Sequence, residues 1–404
     1  FSCCFCCMEV GVSIEDEIRA AKKIAKPSVD PDDWDKDGLA DKIDLKKLHA
    51  LGVARDNTER LRKHPVPNFR KRYVEEKRVA AMENAHGDLD TSRWMISSME
   101  REFSCERFCL DDHHDATLRL GDFLKYMRST RDSDPLMIFD CDFGEREGKD
   151  PSKACKGTLA DYHVPLYFQG DSLFSVATYR PPWKWLIVAP KRSGTHLHED
   201  PLGTCAWNTL IEGKKLWAIL PSDTSRYDLG AEKDMSAPRW FMEIAPKVDK
   251  WEAKHRPLWI VQKPGETVFV PAGRWHVVLN LTDTVAITEN FASEFHFDSV
   301  WNITCRKEPD FCCKWYQALL TKRPALAQRA EELSIKDESI NKLLTAWRKQ
   351  HTQHQRQLKD GTDYTSTTEE GKLEMLQQFD DKGDDDDGEH DNADSSDDSG
   401  YGLL

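Results

Sequence analysis

Thr267-Val-Phe-Val-Pro-Ala-Gly-Arg-Trp-His-Val-Val-Leu-Asn280 is the stretch that decides how this chain folds. It contains two β-rich runs, 267–271 and 275–280, with Ala272-Gly273 between them, which reads as two short strands joined by a turn. Runs of the same texture extend outward: 185–189, 206–211, 215–220 and 259–262 upstream, and 284–291 downstream. A second turn signal, Pro264-Gly265-Glu266, separates two of them. Many short strands at this spacing predict a mainly β domain, a sandwich or barrel of the jelly-roll kind. Helical patterning flanks it. Residues 14–25 come first, cut off by Pro27 and Pro31; 311–320, 324–333 and 336–350 follow, from Asp310 onward. Beyond Gln350 the chain turns polar, then acidic and Ser/Gly-rich, and is predicted to be disordered.

The 404 residues leave room for two or three domains, or for one large domain with extensions. A charged fraction of 32%, a mean hydropathy of -0.67 and the lack of a long uncharged run exclude a multi-span membrane protein. Thirteen Trp and 17 Phe exclude a wholly disordered chain. The net charge of -14 is uneven: residues 380–399 hold eleven Asp and Glu against one Lys, or -10, which leaves -4 elsewhere. Four of the twelve Cys lie in the first seven residues, and the others form no even framework, so a reducing compartment is expected. The opening Phe-Ser-Cys-Cys-Phe-Cys-Cys ahead of Met8 reads as an incomplete or mistranslated start rather than a palmitoylation signal, and no secretory signal is visible.

Chemistry concentrates in Arg192-Ser-Gly-Thr-His-Leu-His198-Glu-Asp200. In an extended segment side chains two apart share a face, so His198 and Asp200 can grip one ion. His276, inside a predicted strand, can supply a third ligand. Two His and one carboxylate leave positions open for substrates, the arrangement of non-haem Fe(II) oxygenases, whereas structural zinc favours a closed tetrahedron. By the same alternation His196 shares that face, as a pocket wall or an extra ligand, and the wall is the favoured reading. The spacing alone does not separate an oxygenase from a metal-binding cupin of other chemistry. Lys215, between Gly213 and Trp217 at the start of an apolar strand, is costly to bury unpaired. It is either the partner of an anionic cosubstrate or a snorkelling turn lysine.

Other motifs read more plainly. Asp33-x-Asp35-x-Asp37-Gly38 with Asp41 and Asp44 copies part of a calcium loop but lacks its final Glu, so an acidic turn is expected. Cys105-x3-Cys109-x3-His113-His114 has no second ligand pair and is not read as a zinc site. Residues 60–78 hold eight Lys and Arg against two Glu, with Phe69 and Tyr73 as the aromatics that could stack on bases. A solvated helix face is the competing reading. Asn280-Leu-Thr282 and Asn302-Ile-Thr304 are glycosylation sequons by pattern only.

The motifs Pro181-Pro-Trp-Lys-Trp185, Arg192-Ser-Gly-Thr195, His198-x-Asp200-Pro-Leu-Gly-Thr-x-Ala-Trp-Asn208, Gln262-Lys-Pro-Gly-Glu-Thr-Val-Phe-Val-Pro271 and Trp275-His276-Val-Val-Leu-Asn280 resemble the JmjC-domain arginine demethylase and lysyl hydroxylase family. Residues 128–140 and Asp161-Tyr-His-Val-Pro165 extend the likeness upstream, Lys314-Trp-Tyr and Arg323-Pro-Ala-Leu downstream. It covers about 94–326. The resemblance implies a double-stranded β-helix, mainly β, with N-terminal helical elaborations and a C-terminal helical bundle. It divides the chain into an extension (1–93), the JmjC domain with its elaboration (94–305), a helical dimerisation region (306–350) and the tail (351–404). It implies Fe(II) held by His198, Asp200 and His276, with O2 and 2-oxoglutarate as cosubstrates. Lys215 and Thr288 would hold the distal carboxylate of 2-oxoglutarate, with Asn208 beside it and Thr195 lining the pocket. Two departures stand out: Met137 replaces the family's cosubstrate-contacting tyrosine, and Glu289 replaces its Gln.

The expected function is therefore an Fe(II)- and 2-oxoglutarate-dependent protein hydroxylase or demethylase acting on lysine or methylated arginine. Glu199 and Glu289 are expected near the pocket mouth, facing a cationic substrate. The resemblance also implies a homodimer in the nucleus, with the cytoplasm as a second location, acting on histones or RNA-processing proteins and contacting RNA, with no membrane role. The rival expectation is a catalytically silent JmjC scaffold, kept alive by Met137.

Overall fold

The computed structural model describes residues 13–87, 90–110, 115–141, 143, 163–169, 173–221 and 235–359. The N-terminal cysteines, His113, His114 and the acidic tail lie outside the described residues. In chain order the strands are β1 Arg60–Leu61, β2 Ala80–Glu83, β3 Arg107–Cys109, β4 Thr117–Arg119, β5 Ile138–Asp140, β6 Lys184–Ala189, β7 Gly194–His198, β8 Cys205–Glu212, β9 Lys215–Ile219, β10 Leu258–Gln262, β11 Glu266–Val270, β12 His276–Asn280 and β13 Thr284–Phe291. A seven-stranded sheet runs β1-β2-β11-β8-β13-β6-β5, and a four-stranded sheet runs β10-β9-β12-β7. From β6 onward the chain passes back and forth between the two sheets, pausing only at the β9–β10 pair. That weave, with antiparallel neighbours throughout, is the double-stranded β-helix expected from the strand spacing.

Alternation along each strand assigns its faces. Trp217 and Ile219 of β9, Ile260 of β10 and Val278 of β12 meet Ala206 of β8 and Val268 and Val270 of β11 between the sheets. Their neighbours Leu216, Ala218, Val261, Val277 and Leu279 face outward, where the helices Leu45–Arg55 and Ala237–Glu243 cover them with Leu48, Trp240 and Phe241. The reverse face of the larger sheet carries Trp207, Val285 and Ile287 into a core with Ala21, Trp34, Phe69, Tyr73, Trp94 and Phe123. Each such fully buried aliphatic or aromatic side chain contributes roughly 1.5–3 kcal/mol. Residues ahead of 94 thus share one core with the β domain. One compact unit reaches Ala330, and the described residues from Glu331 onward belong to a second.

Several expectations need correction. Helix resumes at Phe297–Lys307, ahead of Asp310, because Phe297, Val300, Trp301 and Thr304 recur at helical spacing and are buried. The last helix, Glu338–Lys359, runs past Gln350, where polar residues continue it without a breaker. Cys305 and Cys312 form a disulfide that spacing alone did not reveal; the turn at Glu308-Pro309 brings their Cα atoms to 5.1 Å. Phe69 and Tyr73 are fully buried, so the basic stretch offers no rings for base stacking. The aspartates of the calcium-like turn spread onto separate partners, Lys36, Arg239 and Arg131. Among the described residues no helix is long and apolar enough to cross a membrane.

Candidate metal centre and active-site pocket

His276 of β12 and His198 of β7 lie directly opposite each other on one rung of the smaller sheet. Their ring centroids are 4.1 Å apart. Asp200 follows β7 by two residues, and one ligand atom from each of the three lies within 4.8 Å of the others. Among the described residues no other group of three or more His, Cys, Asp or Glu converges in this way.

A β-bulge sets the geometry. His198 pairs with His276 and Thr195 with Val278, so three residues of β7 span two of β12. Thr195 and His198 therefore both face the pocket. His196, placed on that face by simple alternation, does not line the pocket; its carbonyl instead accepts a hydrogen bond from His198 Nδ1 at 2.7 Å. His276 Nδ1 likewise donates to the Arg274 carbonyl at 2.8 Å. A carbonyl can only accept, so Nδ1 carries the proton in both rings and Nε2 keeps its lone pair for an ion.

The carboxylate is prepared in the same way. Asp200 Oδ1 accepts from Asn290 Nδ2 at 3.3 Å, while the buried Oδ2 has no partner among the described residues. Burial raises the Asp200 pKa, against the pull of His276 and Asn290. Burial also drives the His198 pKa well below its usual value, with His276 and His196 adding to the effect. Two imidazoles anchored through Nδ1 and an under-satisfied carboxylate fit a divalent cation, which would relieve the carboxylate's burial cost.

Lys215 lines the same pocket from the start of β9. It sits four residues from Ile219, the residue opposite His276, roughly 13 Å by strand rise. Gly213, with φ at 95°, makes the turn before it; a Cβ there would strike the Asp283 carbonyl. Among the described residues the Lys215 ammonium is buried without a partner, and burial lowers its pKa to about 7. Asn208, Thr288 and Thr195 line the pocket with it, and Thr288 Oγ1 donates to the Trp207 carbonyl at 2.9 Å. Met137 occupies the wall near Asn280, whose amide nitrogen donates to Ser193 Oγ at 3.0 Å while its buried Oδ1 has no partner among the described residues.

Glu289 is not at the mouth. Thr288 and Asn290 face the pocket, so the strand turns Glu289 to the reverse side opposite Trp207, and burial raises its pKa to about 9. Glu199 is exposed and also lies outside the pocket lining. Sequence reading passed over Asn290, which alternation from Thr288 could have found, and Trp217, whose ring stacks on His276 at 6.0 Å. Asn280, which the sequence shows as the end of a family motif and as a sequon with no role in the site, is buried in the pocket wall.

Residues 185–291 match the model of the JmjC domain, hydroxylase. The bifunctional arginine demethylase and lysyl-hydroxylase of Caenorhabditis briggsae is 32% identical over 324 residues, 76% of this chain and 78% of that protein. The chain belongs to the JmjC-domain arginine demethylase and lysyl-hydroxylase family. The Caenorhabditis elegans protein of the same name is 31% identical over 341 residues, 79% of this chain and 82% of that one. A 2-oxoglutarate and iron-dependent oxygenase of Danio rerio matches a shorter part, 30% over 150 residues, 35% of this chain and 34% of its own. This JmjC protein is an enzyme, a dioxygenase dependent on Fe(II) and 2-oxoglutarate.

Proposed function

We propose that this JmjC enzyme hydroxylates side-chain carbon in basic proteins, at lysine carbon or at the N-methyl groups of arginine. The observation that supports this most is the pairing of an Nε2, Nε2, carboxylate cluster with an unpartnered buried ammonium in one pocket. Fe(II) and 2-oxoglutarate, when bound, supply the oxidation: one C–H, one O2 and one 2-oxoglutarate become C–OH, succinate and CO2. The chain's own residues do the rest. Nδ1 hydrogen bonds to backbone carbonyls hold both imidazoles in the ligating tautomer. Asn290 fixes one oxygen of Asp200, which leaves the other for the metal. Lys215, with the Thr288 hydroxyl, would clasp the distal carboxylate of 2-oxoglutarate and so orient the diacid. Trp185, Phe139 and Ile187 give the pocket an apolar wall.

On lysine the product keeps the added oxygen. On N-methylarginine the hydroxymethyl group leaves as formaldehyde, and the net result is loss of a methyl. The further parts of the proposal are histones or RNA-processing proteins as substrates, contact with RNA through phosphate rather than base stacking, and a homodimer in the nucleus, with the cytoplasm second. The family resemblance supports them. The test supplies Fe(II), ascorbate, labelled 2-oxoglutarate and a basic peptide. Succinate should form, the peptide should gain one oxygen or lose one methyl by mass, and His198→Ala should abolish both. Iron loading without succinate, on any basic peptide, would leave the silent scaffold as the better account. Sedimentation should give twice the chain mass.

A further inference from the structure

Lys215 shares its rung of the smaller sheet with two amides. It lies opposite Gln262 of β10 on one side and Asn280 of β12 on the other, and residues directly opposite in an antiparallel pair project to the same face. Lys215 and Asn280 both line the active-site pocket. What each amide can offer the buried ammonium is decided by the other hydrogen bonds that it makes.

Gln262 is committed elsewhere. Its Oε1 accepts from Trp217 Nε1 at 2.9 Å, and its Nε2 donates to the carbonyls of Asn208 at 2.9 Å and Glu266 at 3.0 Å. Asn280 differs. Ser193 Oγ bonds the Pro190 carbonyl, which can only accept, so the hydroxyl spends its hydrogen there. Its oxygen is then left to accept, and it does so from Asn280 Nδ2 at 3.0 Å. Nδ2 also approaches Met137 Sδ, a weak acceptor, at 3.8 Å. Backbone bonds hold the two residues in place: Asn280 N–H to the Ser193 carbonyl and Arg192 N–H to the Asn280 carbonyl, each 2.8 Å. The amide is thereby locked with its nitrogen toward Ser193 and its oxygen turned away. That oxygen, Oδ1, is buried and has no partner among the described residues.

An acceptor and a cation on one rung, each buried and each without a described partner, complement one another. An ammonium has three N–H bonds, and a carboxylate takes one or two of them, so a buried lysine that holds an acid still has a donor to place. We infer that Asn280 is a positioning residue for the cosubstrate: its Oδ1 accepts from Lys215 Nζ when the diacid binds, and so holds the ammonium against the distal carboxylate. The inference rests on the reading of Lys215 as the clasp for that carboxylate. The same oxygen repels a carboxylate placed directly over it, which steers the acid to Lys215. Ser193, through the amide that it orients, acts one step further back.

The experiment measures dissociation constants by calorimetry on the full chain loaded with Co(II). The probes are 2-oxoglutarate and 2-oxopentanoate, which has the same carbon chain without the distal carboxylate. Wild type should prefer the diacid, and Lys215→Met should erase the preference. Asn280→Leu, close in volume but unable to accept, should weaken 2-oxoglutarate binding about tenfold, the loss of one charge-assisted hydrogen bond. Its affinities for 2-oxopentanoate and Co(II) should match wild type, which a merely structural role would not allow. In the Lys215→Met background the same substitution should cost nothing further. Ser193→Ala, which frees the amide to turn, should weaken the diacid selectively by a smaller factor, and it carries the test if Asn280→Leu does not fold. Equal weakening of both acids, or of neither, overturns the inference and leaves Lys215 in its role. A diacid preference that is absent, or that survives Lys215→Met, overturns the reading of Lys215 and the inference with it.

Discussion

Asn290 and Lys215 show how single residues prepare this site. Asn290 touches no reacting atom; it holds one carboxylate oxygen of Asp200 so that the other stays aimed at the ion. Loss of such a support commonly costs ten- to hundred-fold in metal affinity. Asn290→Ala should therefore bind Fe(II) or Co(II) about tenfold more weakly by calorimetry, with the fold intact by circular dichroism. Lys215 carries a cost that can be read from pH. Its folded pKa of about 7 lies below its ordinary 10.5, so between those values the unfolded chain binds the extra proton. Stability of the metal-free, diacid-free protein should accordingly rise as pH climbs from 7 toward 10, and below 7 the full cost of the buried ammonium remains. Lys215→Met should remove that rise, stand more stable than wild type at pH 7 in urea unfolding, and fail to bind 2-oxoglutarate. A variant with the same pH slope as wild type would mean the ammonium finds a partner in solution.

Among the elements, β7 is the one whose irregularity matters most. The bulge between Thr195 and His198 puts both on the pocket side, and Gly194 lies so close to the Val278 carbonyl that a Cβ would strike it, with Ala237 Cβ at 3.0 Å beyond. Gly194→Ala should destabilise the protein by about 2 kcal/mol through overpacking and shift His198 off the rung, seen as lost metal binding in the surviving folded fraction. Here the limits of sequence reading are physical. The strands from β8 to β13 were legible because Val, Ile, Phe and Trp alternate there, and the metal triad was legible because a second His fell in such a run. His196 was misassigned because an extra residue in a strand leaves no compositional mark. Ala80-Ala-Met-Glu83 pairs as β2 only because β11 lies beside it, and nothing in its own residues favours a strand. Glu289 was placed at the mouth by nearness in sequence, where alternation from Thr288 sends it to the other side.

At the level of the whole molecule, the two sheets act as a clamp whose inner faces supply the metal ligands from one side and much of the diacid pocket from the other. Ligands that bind only the folded clamp stabilise it by mass action, about 2.7 kcal/mol at a hundredfold excess over Kd. Fe(II) with 2-oxoglutarate under nitrogen should thus raise the melting temperature of the wild-type chain by several degrees. His198→Ala should show no metal-dependent shift; an equal shift would mean that the ion binds elsewhere. The N-terminal helices and the 60–78 stretch belong to this same body through Phe69, Tyr73 and Trp94, so truncation ahead of 94 should yield insoluble protein rather than a smaller active enzyme.

Among the described residues strand β7 lies at the edge of the four-stranded sheet, paired only with β12. An edge strand frays more readily than a central one, and each fraying event would carry His198 away from His276 and dismantle the chelate. The lifetime of the bound ion would then be set by a local opening of the backbone, and amide exchange along β7 would slow in step with metal retention.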